Sequence, residues 1–262
     1  MFNEKAMQQA LSDTPLSFFF FPTVDSTNTE AKRYALAGGA APALVLAEEQ
    51  TAGRGRMGRS FFSPHSTGIY LSLLLKTNDA LSDPITATTA SAVAVREAIL
   101  AVTGISVGIK WVNDLYYGGK KICGILAESF FVGADRYLIV GVGVNLSTVD
   151  FPEDLQGKAG SLFSECTSLR EALAAEISHR LYGTLTDGNP QIFMQKYRAA
   201  SLVLGQEITY IQNSVEHHGV AEAIDDLGRL LVRHPDGTEA LLASGEISLR
   251  INDINDKKGE TK

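Results

Sequence analysis

Residues Gln50 to Arg59 (Gln-Thr-Ala-Gly-Arg-Gly-Arg-Met-Gly-Arg) interleave three glycines with three arginines, and no acidic residue falls among them. The segment follows an apolar run, Ala43–Glu49, that reads as a buried strand, and precedes a second such run, Gly68–Leu75. Glycine lets backbone approach a ligand closely and adopts positive φ without steric cost. Arginine presents planar donors that match carboxylate and phosphate. Held between two strands, such a connection fits a loop that wraps an anionic small molecule. The other reading is a flexible Arg-Gly tether for nucleic acid. Tethers of that kind lie in low-complexity sequence, whereas this one is short and flanked by apolar runs.

Charge separates the two readings further. The 262-residue chain carries a formal charge of −7, against the clustered excess of Lys and Arg that a general nucleic-acid binder needs. The basic loop is a local exception in an acidic protein, which favours a specific anionic ligand. The length allows one large domain, or a main domain with a small appendage. Two cysteines, Cys123 and Cys166, form neither a metal-ligand spacing nor a disulfide framework. The apolar run Leu16–Pro22 is too short to span a bilayer, and no basic region precedes it. A reducing, cytoplasmic compartment and no membrane partner are therefore expected.

The coarse pattern mixes strands and helices. Phe18–Val24 reads as a strand, and Thr27-Asn28-Thr29-Glu30 as a capping box opening a helix that stops at Gly38-Gly39. Pro84–Val102 reads as a buried helix ending at Gly104. Val107–Tyr117 and Lys121–Phe130 read as strands joined through Gly118-Gly119, followed by a central strand over Tyr137–Val144. Ser168–Glu171 offers a second capping box, and Leu173, Ile177 and Leu181 then recur at helical spacing. Pro190 opens a further helix. After Gly205, short strands at Glu207–Gln212, Gly219–Ile224, Arg229–Arg233 and Glu239–Leu242 predict a small barrel-like module, and Asn252–Lys262 a frayed tail.

Several residues stand out chemically. The run Asp25-Ser26-Thr27-Asn28 lies where a strand passes into a helix, and one cap uses only one of its side chains. Lys110 sits between Ile109 and the single tryptophan, Trp111, so either its stem packs and its head is exposed, or the amine serves a site. Lys121 beside Ile122-Cys123-Gly124 either blocks a sheet edge or serves that site too. Gly141-Val142-Gly143-Val144-Asn145 lacks the third glycine and the helix start of a dinucleotide fingerprint. Two glycines in a central strand instead let a flat ligand lie against backbone. Cys123 reads as a small core residue, and the five histidines show no ligand spacing.

The order Asp25–Asn28, Gln50–Arg59, Lys110–Leu115, Lys121–Leu126, Gly141–Asn145, with Ala243–Arg250 at the end, closely resembles the biotin–protein ligases. The resemblance implies an α+β fold: a mixed β-sheet packed with helices, of the class II synthetase-like biotin/lipoate ligase type, over 1–200. A small SH3-like β-barrel over 201–262 follows. It implies two steps, in which biotin and ATP with Mg²⁺ give biotinyl-5′-AMP, and a lysine of a biotin carboxyl carrier domain then takes the biotinyl group. Carried over by motif, the catalytic groups are Arg54, Arg56, Lys110 and Lys121. Biotin contacts fall to Ser26, Thr27, Asn28, Gln50, Arg54, Gly55, Arg56, Lys110, Gly124, Gly141 and Gly143. ATP contacts fall to Arg56, Arg59, Lys110, Asn113 and Asn145, with the loop Val149–Ser161 against adenine; Mg²⁺ ligands are not assigned. Val112 stands where the family usually has proline, and Phe61-Phe62 where it often has tryptophan. About 17 residues precede the first strand, fewer than a winged helix-turn-helix requires, so no DNA partner is expected; a homodimer is left open. The rivals are a lipoate or octanoate ligase of the same superfamily and a biotin-binding sensor without turnover.

Overall fold

The computed structural model describes residues 2–77, 83–243, 245 and 247–249. The expected tail Asn252–Lys262 and Ser244, Glu246 and Arg250 of the family-like end segment lie outside the described residues. Among the described residues, twelve strands fall into a seven-stranded sheet ordered β1-β2-β3-β7-β6-β5-β4 and a five-stranded one ordered β11-β10-β9-β8-β12. In the first sheet, β1 (Ser17–Phe21) and β2 (Ala43–Ala47) pair in parallel, and α2 (Thr27–Leu36) makes the crossover. The other neighbours are antiparallel: β3 (Gly68–Lys76), β7 (Asp135–Asn145), β6 (Lys120–Val132), β5 (Asp114–Tyr117) and β4 (Gly108–Lys110).

Alternation along each strand assigns residues to faces. Ile69, Leu71, Leu73, Val140, Val142, Val144, Cys123, Ile125, Leu115 and Ile109 point into the main core beneath helices α3 (Pro84–Thr103) and α4 (Arg170–Asp187). Ala31, Ala35, Val45, Leu74 and Ile139 form a smaller core where α2 covers one end of the opposite face. The remainder of that face carries no helix; Phe61 and Asn28 lie against it at Gly143 and Gly141.

The Ala-rich segment forms α3 as expected, capped by Asp83 and closed by Gly104 at φ 72°. It is the one described helix long and apolar enough to cross a membrane, and most of it is buried in this core. Gly118 and Gly119, at φ 56° and 76°, make the expected hairpin turn. Helix α5 (Pro190–Ala200) opens at the proline, with Asn189 as its cap.

Four expectations are corrected. Val107–Tyr117 is not one strand: it folds back at Trp111–Asn113 as the β4–β5 hairpin, where Asn113 accepts the Ile125 amide of β6 on its backbone carbonyl and donates its side-chain Nδ2 to the Ile125 carbonyl. The first strand stops at Phe21, and Val24 joins Gln50 in an isolated bridge. The capping boxes shift by one residue. Ser26 and Leu169 are the actual caps, while Thr27 turns to Gln50 and Glu171 accepts from the Asn3 amide. Helix α1 (Glu4–Ala10), capped by Asn3, went unread because only Met7 of it is buried.

The N-terminal segment is fastened to the sheet by a buried ion pair. Glu48, fully buried, accepts from Arg170 Nη1 (2.6 Å), the Phe2 amide (2.7 Å) and Ser66 Oγ (2.8 Å). The Arg170 guanidinium lies over the Phe2 ring. Burial pushes the Glu48 carboxyl up, but these donors and the Arg170 charge outweigh burial and hold it at about 2. A depressed native pKa stabilises the fold above the unfolded value and loses that contribution as pH falls toward the native one. For Glu48 the window runs from 4.5 down to about 2. Acid titration of unfolding should show Glu48→Gln less stable at neutral pH, with a slope shallower by up to one proton, about 1.4 kcal/mol per pH unit. Parallel acid-unfolding curves would remove Glu48 from this role.

The C-terminal strands β8 (Glu207–Gln212), β9 (Val215–Ile224), β10 (Leu230–Arg233), β11 (Glu239–Leu242) and β12 (Ile247–Leu249) follow the expected pattern, with β9 longer. Their core residues Ile208, Tyr210, Ala221, Ile224, Leu230 and Val232 join the main cluster. The β9–β10 turn docks on the sheet: Trp111 Nε1 donates to the Gly228 carbonyl at 2.8 Å, and Arg198 to that of Ile224 at 2.6 Å.

Candidate active site

Strand register builds the site as two rows across the open face. One runs Lys110, Asp114, Gly124, Gly143, Tyr70, and the other Leu126, Gly141, Ser72. Five strands at about 4.8 Å spacing give the first row a length of about 19 Å. Its centre is floored by two glycines paired directly across β6 and β7.

The polar end lies under the start of α2. Thr27 donates its amide (2.8 Å) and hydroxyl (3.1 Å) to Gln50 Oε1, and Gln50 Nε2 donates to Ser63 Oγ at 2.8 Å. Ser72 Oγ sits 2.7 Å from Thr27 Oγ1 and 2.6 Å from Asn28 Oδ1. One hydroxyl hydrogen cannot serve both oxygens, so this cluster can re-pair its protons around a ligand. Ser26, Thr27 and Asn28 are all buried. Gly141 is obligatory here, since a Cβ would meet Asn28 Oδ1 at 2.1 Å. Three of the expected biotin contacts, Thr27, Asn28 and Gln50, thus converge on one place, and Ser26 is buried next to them at the helix N-cap.

Ser72 was missed, although a serine inside the apolar run Ile69–Leu75 was a usable signal. Glu128 was also missed. Its carboxylate accepts Asn28 Nδ2 (2.9 Å) and both Arg54 nitrogens (3.0 and 2.7 Å).

The cationic end lies at the β4–β5 hairpin. Arg56 donates to Asn113 Oδ1 at 3.0 Å, and Asn113 is itself fixed to the Ile125 carbonyl. Lys110 lies 5.4 Å from the Tyr116 ring centroid, and Lys121 pairs with Asp114 at 2.7 Å. Gly55 precedes a 3₁₀ turn, Arg56–Gly58, that leads to Arg59; within it Met57 holds φ 55°. That left-handed conformation is unfavourable for a side-chain-bearing residue, and it marks the turn as strained.

Between the two ends lies Phe61. A Cβ on Gly143 would meet its ring at 2.5 Å and one on Gly124 at 3.2 Å. Of the two central-strand glycines that the sequence reserves for a flat ligand, Gly143 is therefore covered by the loop's own aromatic ring and Gly141 by Asn28. Gly143→Ala should destabilise the fold by about 1–3 kcal/mol through overpacking, and pairing it with Phe61→Leu should recover part of the loss in a thermal melt. Unchanged melting of the single variant would contradict the packing.

Beyond this row, Val149, Asp150, Phe151, Pro152, Gln156 and Lys120 border a cavity of about 440 Å³. Asn145 donates to the Gly160 carbonyl (3.1 Å), while its buried Oδ1 has no hydrogen-bond partner among the described residues. A buried acceptor in that state fits a ligand donor. Cys123 is fully buried, which pushes its thiol well up and removes it as a nucleophile. No cluster of three His, Cys, Asp or Glu side chains occurs among the described residues.

Comparison with known proteins matches this arrangement. Residues 20–145 match the biotin/lipoate A/B protein ligase family, and residues 203–250 match the biotin protein ligase C terminal domain. The chain is 33% identical over 231 residues to the bifunctional ligase/repressor BirA of Bacillus spizizenii, covering 83% of this chain and 70% of that protein. It is 31% identical over 239 residues to the biotin–[acetyl-CoA-carboxylase] ligase of Mycobacterium tuberculosis, covering 86% of each. The biotin protein ligase of Aquifex aeolicus, solved in complex with biotin and ATP, superposes with a TM-score of 0.72. It is 27% identical over 89% of this chain and 98% of that one. With these matches spanning both sheets and every motif of the open face, the chain belongs to the biotin protein ligase family.

Proposed function

We propose that this protein attaches biotin to a lysine of a biotin carboxyl carrier domain, such as that of acetyl-CoA carboxylase, using ATP. The observation that carries this reading is the glycine-floored row with polar amide and hydroxyl groups at one end and Arg56 and Lys110 at the other. In the first step a biotin carboxylate oxygen attacks the α-phosphorus of MgATP, and the bond to pyrophosphate breaks. Negative charge gathers on the α-phosphate, where fixed cations lower the barrier. Arg56, oriented by Asn113, and Lys110 supply that charge, with Lys121 behind them on Asp114. In the second step the carrier lysine's neutral amine attacks the mixed anhydride's carbonyl. An N–C bond forms, the C–O bond to AMP breaks, and the amine proton leaves to solvent.

Thr27, Asn28 and Gln50, with Ser26 beside them, present amide and hydroxyl groups suited to a ureido ring; Gly124 and Gly143 admit the ring system once the Phe61 ring swings aside, and Gly141 makes room for Asn28. Asn145, Arg59 and the loop 149–161 attend the nucleotide. The catalytic unit spans 1–200 and the C-terminal unit 201–262, and the core burial of α3 is compatible with a cytoplasmic protein. The biotin-ligase type of the C-terminal match favours this reading over a lipoate or octanoate ligase. Pyrophosphate release measured with biotin, lipoate and octanoate in turn tests it. Release supported by biotin alone is expected, and release with lipoate or octanoate but not biotin would overturn it.

A further inference from the structure

We infer that Glu128 is a positioning residue that latches the first half of the Gly-Arg loop to β6, and that Arg54 serves the site through this latch. The inference rests on the proposed reading of the site. Glu128 lies on the open face, in register with Ile139 and two residues beyond Leu126. Its Oε1 takes Arg54 Nη2 at 2.7 Å, and its Oε2 takes Arg54 Nη1 at 3.0 Å and Asn28 Nδ2 at 2.9 Å. A parallel two-bond fork of this kind fixes the guanidinium plane as well as its position.

The second amide hydrogen of Asn28 goes to the Leu126 carbonyl at 3.3 Å. One carboxylate therefore joins the loop to the residue that lies above Gly141. The fork commits two of the five guanidinium N–H donors to Glu128 and fixes the plane from which the other three point. Backbone contacts agree with a fixed first half of the loop: the amides of Thr51 and Ala52 donate to the carbonyls of Val24 and Asp25, and that of Phe61 to Gly53. The strained turn at Met57 falls outside this fastened part. Division of the loop follows: residues 50–55 are preformed by Glu128, and residues 56–60 rearrange around the ligand. Its consequence is that Glu128 sets how much ordering the ligand must supply, and hence affinity more than chemistry.

Glu128→Gln keeps the side chain's size and Asn28's acceptor but removes the charge that fastens Arg54. Three readouts test the latch. Limited tryptic cleavage after Arg54, without biotin or ATP, should run at least tenfold faster than in the unaltered chain. The KM for biotin should rise about tenfold with kcat within about twofold. Arg54→Lys, which keeps a tryptic site but cannot make the two-bond fork, should also be cut faster than the unaltered chain. Unchanged cleavage in Glu128→Gln would overturn the latch. So would Arg54→Ala lowering kcat further in a Glu128→Gln background, because Arg54 would then act on substrate directly. The cleavage arm uses no substrate, so it stands apart from the proposed reaction: a chain that turns over no biotin can still show the latch, and an active one can lack it.

Discussion

Arg56→Ala should lower the rate of adenylate formation by two orders of magnitude or more. That is about 3 kcal/mol of barrier, the size of one lost preorganised contact to developing charge. The expectation comes from placement. Arg56 begins the 3₁₀ turn, and its guanidinium is directed to the β4–β5 hairpin by Asn113 Oδ1. Asn113 is braced on Ile125 of β6 through its side-chain Nδ2, which donates to the Ile125 carbonyl, and its backbone carbonyl, which accepts the Ile125 amide, so Arg56 is aimed at the same turn that carries Lys110. Asn113→Ala should cost less, about tenfold, because the charge remains and only its orientation loosens. Biotin affinity should fall less than the rate in Arg56→Ala. Pyrophosphate release at a near-normal rate by that variant would remove Arg56 from the chemistry.

Lys110→Gln should reduce turnover on a similar scale while leaving thermal stability nearly unchanged. The residue ends an edge strand of three residues, Gly108–Lys110, and its side chain projects to the open face opposite Ile109. It therefore adds little to the core, and glutamine retains much of the stem and one donor. What disappears is a fixed positive charge at the end of the row where the proposed reaction brings carboxylate and α-phosphate together. A markedly lower unfolding temperature with unchanged specific activity would show instead that the lysine is structural.

Reading the chain alone recovered what short-range pattern controls. The apolar runs at β2 and β3, the Ala-rich helix between Asp83 and Gly104, and the Gly118-Gly119 turn each carry their cause within a few residues. Trp111–Asn113 did not, because the hairpin there depends on Asn113 bonding to a strand twelve residues away. The cap at Thr27 was misplaced for a similar reason: Gln50 takes its amide and hydroxyl across 23 residues.

Thr27, Asn28, Gln50, Gly141 and Gly143, singled out by their motifs, lie together in the structure. Their satisfying partners Ser72 and Glu128 emerged only with strand register. Arg54 shows the limit most clearly. Its loop identity pointed to an anion, but the anion beside it in the structure is the carboxylate of Glu128, 74 residues along the chain. The Phe61 ring over Gly124 and Gly143 was likewise invisible to spacing, since alternation tells which face a glycine lies on and not what covers it.

A closed loop would keep water from a mixed anhydride until the acceptor amine arrives, and transfer to that amine is the step on which the proposed role depends. It is read most directly by the intact mass of a biotin carrier domain incubated with this protein, biotin, ATP and Mg²⁺. The expected result is a gain of one biotinyl group, on one lysine, that requires ATP and disappears in Arg56→Ala and Lys110→Gln over the same interval. An unmodified carrier, in a sample where the protein is folded and another biotin ligase labels the same carrier, would contradict it.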